Sequence, residues 1–139
     1  MNFDLGFATA SQAAIAGWLA LILLPRWLWL TAALRYGLIG LLSLAYAGLV
    51  FAFFFRVEGG GFDGIAEVRS LFLSDPVLLA GWLHYLAFDL LIGTWEARDS
   101  VSRGVPRWLL VPCLFLTLML GPMGWAAYML VRSRFGRES

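Results

Sequence analysis

Four runs of about twenty mostly apolar residues divide this chain, and no other feature limits its fold so strongly. A helix needs roughly 20 such residues, at ~1.5 Å each, to cross the hydrocarbon of a bilayer. The runs cover about residues 5–24, 33–55, 76–95 and 106–131. Of the 139 residues, 61% are hydrophobic and only 14% charged, with mean hydropathy +0.81. A soluble domain has about 25% charged residues to cover its surface. The composition therefore implies a chain whose solvent is largely lipid.

The run boundaries carry helix signals. The first run stops at Pro25-Arg26-Trp27, where proline ends a helix and Arg and Trp suit the headgroup level. The second ends in Phe51-Ala52-Phe53-Phe54-Phe55 and Arg56. Asp75-Pro76 reads as an N-cap with proline at the first helical position of the third. The fourth is too long for one straight span and contains Pro112 and Pro122, so Gly121-Pro122 predicts a kink or break. Carbonyls freed there must find a partner in a neighbouring helix or in water.

Between the second and third runs lies the one substantial loop, Val57 to Asp75, opening with Gly59-Gly60-Gly61. Phe62, Ile65, Val68 and Phe72 follow at helical spacing, opposite Asp63, Glu67 and Ser70. That pattern predicts a short amphipathic helix at the membrane surface, as an anchor or as a lid. The fold class expected is all-α: a single domain of four transmembrane helices in a small bundle, with that interfacial helix between the second and third. An acid and no arginine precede the first run, so it reads as a retained span rather than a cleaved signal. With four spans, Arg56, Arg69, Arg132, Arg134 and Arg137 share one side and Arg26, Arg35, Arg98, Arg103 and Arg107 the other. At five against five, the positive-inside rule does not choose an orientation.

Several function classes drop out. A net charge of +1 offers no basic field for nucleic acid. The lone Cys113 excludes an intrachain disulfide and any cysteine-rich metal site. With one histidine and no ligand-spaced cluster, neither a metal nor another cofactor is expected. Phosphate-binding glycine loops, nucleophile elbows and HExxH motifs do not occur.

What remains is the polar content of the third run, Gly81-Trp82-Leu83-His84-Tyr85-Leu86-Ala87-Phe88-Asp89-Leu90-Leu91. His84 and Asp89 fall within roughly 5 Å of the middle of that span at ~1.5 Å per residue. An ionised aspartate there costs about 2.5–3.5 kcal/mol even on the most lenient insertion scale, so it must be protonated, paired or facing a cavity. Helical geometry sets the two about 140° apart, while Tyr85, Asp89, Gly93 and Glu96 form one polar stripe. Partners for His84 must come from other spans, where Gln12, Ser43, Tyr46 and Thr117 lie at comparable depth and Arg35 could reach inward from the edge of its span. Trp18, Trp82, Tyr85 and Phe88 are deep aromatics that could flank a long flat ligand or simply pack the core. The pair itself is either a desolvated acid–base site or a polar network that fixes helix packing.

Trp82, His84, Asp89 and Leu90 match the W-x-H-x(4)-D-L pattern of the neoxanthin-synthase-like, or abscisic-acid-deficient-4-like, membrane proteins, which the chain resembles. Gly17-Trp18 through Pro25-Arg26-Trp27 and Pro122-x-Gly124 agree as well, so the similarity covers nearly the whole chain. The stretch Trp95-Glu96-Ala97-Arg98-Asp99 resembles the bacterial branch and departs from the plant pattern. The resemblance implies a multi-pass protein of a bacterial inner membrane, with membrane lipid and a hydrophobic carotenoid-like ligand as partners. It implies carotenoid or polyisoprenoid modification, by epoxide opening or isomerisation. Asp89 would be the neutral acid and His84 the base or proton shuttle, or the reverse. Trp82, Tyr85, Phe88 and Trp18 would bind substrate, and Gln12, Arg35, Glu96 and Thr117 would support the pair. The competing expectation is a non-catalytic pigment- or lipid-binding protein, or a subunit of a larger complex. Gly37, Gly40 and Gly48 on the second run suit close helix contact, with a second copy among the candidates.

Overall fold

The computed structural model describes residues 2–136 and is all-helical over them; Arg137 lies outside the described residues. Six helices follow in order: α1 (Phe3–Leu23), α2 (Leu28–Arg56), α3 (Ile65–Phe72), α4 (Asp75–Ser102), α5 (Arg107–Leu120) and α6 (Pro122–Arg132). Three of them, α1, α2 and α4, are long and apolar enough to cross a membrane. Three, not four, is the correction that the structure makes to the sequence expectation.

Each start and stop has a local cause. The Asn2 side chain accepts from the Leu5 N–H at 3.0 Å and caps α1. Pro25 follows the end of α1, as its missing N–H and fixed φ require. α2 contains a π-helical stretch, Leu34–Ile39, and closes in a 3-10 turn, Phe54–Arg56. At the start of α4 the capping position belongs to Ser74, one residue earlier than the sequence suggested, and Asp75 and Pro76 form its first turn. The amphipathic segment forms α3, which buries Leu71 and leaves Ile65 and Phe72 exposed, with Phe62 and Leu73 exposed beside it.

α4 organises the molecule. Twenty-eight residues long, it packs against every other long helix and contributes Leu83, Leu86, Ala87, Leu90 and Ala97 to the core. Trp18, 2% exposed, lies over Gly93, where a side chain would collide with the indole. One end of the bundle gathers the start of α1, the end of α2 and the start of α4: the Phe3 and Phe53 rings meet edge-on at 6.1 Å. Asp4 and Asp75 line one depression there. The other end joins the α1–α2 turn to the α4–α5 turn, with Arg107 donating to the Leu23 carbonyl at 2.8 Å.

The fourth apolar run does not cross the bundle. At Gly121, φ +45° and ψ −97°, the chain reverses, and α6 runs back along α5. Leu109, near the start of α5, borders the same surface depression as Val131 at the end of α6 and Phe135 just beyond it. In one continuous helix those residues would lie about 33 Å or more apart at ~1.5 Å per residue. Gly124 touches the Thr117 backbone across the turn, which only a residue without a Cβ permits. Fourteen residues of α5 reach about 21 Å, short of the ~30 Å of hydrocarbon. The hairpin therefore begins and ends at the same face of the bundle.

Candidate functional site

The tip of the hairpin meets α4 at its middle. The end of α4 lies 13 residues beyond Asp89, about 20 Å at ~1.5 Å per residue, which matches the reach of α5. Asp89, Phe88 and Ile92 of α4 and Gly121, Pro122 and Trp125 of the tip line a groove of about 310 Å³. The groove is apolar except for one carboxyl group. Its two oxygens face the Gly121 Cα, where a Cβ would sit 2.7 Å from Oδ1. Oδ2 of Asp89 is buried and has no hydrogen-bond partner. An unpaired buried carboxyl oxygen is expensive, so its persistence marks this position out.

Tyr85, on the same stripe, makes the break tolerable. Its hydroxyl donates to the Leu118 carbonyl at 3.3 Å, with the Met119 carbonyl at 3.5 Å. Those are carbonyls that the end of α5 cannot bond within its own helix. Thr117 keeps its backbone partner, the Gly121 N–H, at 2.9 Å. Tyr85 is thus a cap on the hairpin tip.

About two helical turns closer to the hairpin base than Asp89, Glu96 is 0% exposed. Thr117 Oγ1 lies 3.0 and 3.1 Å from its two oxygens and 3.0 Å from the Cys113 carbonyl. A hydroxyl has one hydrogen and cannot serve both sides. If it goes to the carbonyl, as spacing along the helix favours, the carboxyl must donate in return. The geometry fits a neutral Glu96. Further along, Asp99 accepts from Arg132 at 2.7 and 2.8 Å, from Tyr128 at 2.8 Å and from Arg103 at 3.2 Å. Arg132 also lies over the Trp95 ring at 5.3 Å, which completes a latch between α4 and α6.

The remaining sequence candidates separate. His84 is exposed on the side of α4 that meets α2, its ring stacked on Phe88 at 4.6 Å and tilted against Tyr46 at 5.4 Å. No hydrogen bond joins it to Asp89; Phe88 stands between the histidine and the groove. Trp82 donates to Ser11 at 2.8 Å and stacks between Phe7 and Tyr85, so it belongs to the α1–α4 interface. Trp18 is core. Gln12 is exposed on α1, and Arg35 donates from the π-helical stretch to Thr94 at 2.9 Å, deep in the α2–α4 interface. Gly121 and Trp125 form part of the groove, and sequence reasoning misses them as site residues, although Gly121-Pro122 is visible there as a break. Among the described residues, no group of three His, Cys, Asp or Glu side chains is placed to hold a metal.

No curated protein and no solved structure matches the chain. A family profile does: the one described as "ABA4-like: ABA DEFICIENT 4-like" aligns with residues 5–128. That span contains all of α1 but its first two residues, α2 through α5, the start of α6 and every residue of the groove. The chain belongs to the ABA DEFICIENT 4-like family.

Proposed function

We propose that this is a multi-pass protein, of the bacterial inner membrane, that takes a carotenoid or similar polyisoprenoid into the Asp89 groove and isomerises an epoxide on it. One observation carries the reading: a buried carboxyl oxygen without a partner, in an otherwise apolar groove at the middle of the longest apolar helix but one. Such a group is complemented by a ligand oxygen on an otherwise hydrophobic molecule, and family membership supports a carotenoid as that molecule.

In this reaction neutral Asp89 gives its proton to the epoxide oxygen as the C–O bond breaks. A base removes a proton from the adjacent carbon, and the electrons of that C–H bond form the new double bond. The proton returns from the base to Asp89, so no outside reactant is consumed. His84 is the candidate base, one ring away across Phe88. Phe88 and Trp125 offer flat faces to a polyene, and Tyr85 holds the groove open by fixing the tip.

A second reading has its own support. Because no base is bonded to Asp89, the same groove could bind a pigment or lipid hydroxyl without chemistry, or serve a larger complex. The open space beside Gly37 and Gly48 on α2 would suit a second copy of the chain or another subunit.

Expression in a host that makes β-ring and epoxy carotenoids, followed by chromatography of extracted pigments, separates the readings. Catalysis predicts a new pigment with wild type and none with Asp89→Asn, at equal protein yield. Unaltered conversion by Asp89→Asn would remove the aspartate from the chemistry. Pigment that co-purifies unchanged with the wild type would favour the binding role.

A further inference from the structure

The hairpin re-sorts the charges of the chain. Because α6 returns to the end from which α5 started, the C-terminal residues lie with the α1–α2 and α4–α5 turns, opposite the start of α1. Among the described residues, seven of the nine arginines now fall in that half of the bundle, and only Arg56 and Arg69 lie at the other end. The acids sort in the opposite sense: Asp4, Glu58, Asp63, Glu67 and Asp75 all belong to the N-terminal end. At the hairpin base Glu96 is fully buried and Asp99 is engaged by Arg103 and Arg132. Arg26, Arg98, Arg107 and Arg134 are exposed around that rim, with Trp27, Trp29 and Trp108 exposed beside them.

We infer that the hairpin base is a docking surface for anionic phospholipid headgroups of the cytoplasmic leaflet, so that the N-terminus and α3 face away from the cytoplasm. The five-against-five tie of a four-span chain disappears, and the positive-inside rule then has a clear sign. Arginine forks and interfacial tryptophans are the side chains that such a headgroup layer attracts. The inference rests on the chain crossing a membrane and is independent of any chemistry at Asp89.

The test places single cysteines at opposite ends, Ala66→Cys on α3 and Ser133→Cys after α6, both exposed in the structure. Cys113 is buried, so the parent chain serves as the blank. Intact cells are treated with a membrane-impermeant maleimide before and after permeabilisation. The expected result is labelling of Ala66→Cys in intact cells and of Ser133→Cys only after permeabilisation. The reverse pattern overturns the orientation. Matching behaviour of the two sites overturns the hairpin as the reason for it. For the lipid partner, wild type in phosphatidylglycerol nanodiscs should melt several degrees above wild type in phosphatidylcholine, and Arg26→Gln/Arg134→Gln should lose most of that difference. Equal wild-type melting temperatures in the two lipids would overturn the headgroup assignment.

Discussion

At the residue scale, three side chains of the α4 stripe do three different jobs, although the sequence presents them alike. Tyr85 pairs a freed carbonyl, Asp89 keeps an unpaired oxygen, and Glu96 is bonded within the core. Removing the Tyr85 hydroxyl leaves the Leu118 carbonyl without that donor, so Tyr85→Phe should cost about 1–3 kcal/mol, read as a lower melting temperature in detergent. Thr117→Val should cost a similar amount, about 1–3 kcal/mol, by stranding the Glu96 carboxyl. Glu96→Gln should be far milder, because an amide can both donate to Thr117 and fill the same space. A Glu96→Gln variant as unstable as Thr117→Val would mean that the group is ionised and differently paired. Depth and shared face were legible from 3.6-residue periodicity alone. Which carboxyl would be satisfied was not, because the partners sit on α5, and the sequence does not show how α5 lies against α4.

The element that matters most at the next scale is the α5–α6 hairpin. Gly121-Pro122 signals a break, since proline removes a helix hydrogen bond, but a kink and a reversal share that local signature. The reversal is decided by contacts far apart in sequence: Gly124 against Thr117, and Asp99 holding Arg132 and Tyr128. The backbone at Gly121 lies where an L side chain is strained, and a Cβ would also meet the Asp89 carboxyl group. Gly121→Ala should therefore destabilise the protein by about 1–3 kcal/mol and disturb the groove as well as the fold. Asp99→Asn weakens charge-assisted bonds to a partly exposed arginine and should cost about 1–2 kcal/mol. Limited proteolysis after Arg132 or Arg134 would show the loosened α6 as faster cleavage than in wild type.

For the whole molecule, the long helices were readable because twenty apolar residues leave a chain few alternatives to spanning lipid. The fourth run supplies no fourth candidate span because the chain reverses at Gly121, which length along the sequence does not show. That difference moves the C-terminus to the opposite end and brings a broken helix to the middle of α4. It also creates the groove in which Asp89 stands. The groove and the placement of the C-terminus both depend on the hairpin more than on any single contact. Leu109→Cys paired with Val131→Cys, treated with a short bis-maleimide that bridges about 10 Å, tests it most directly. The hairpin predicts an intramolecular cross-link, seen as resistance to separation of fragments after cleavage between the two positions, and absent from either single variant. No cross-link would be the mark of a continuous helix, whose ~1.5 Å rise per residue holds those cysteines about 33 Å apart, and it would contradict the account.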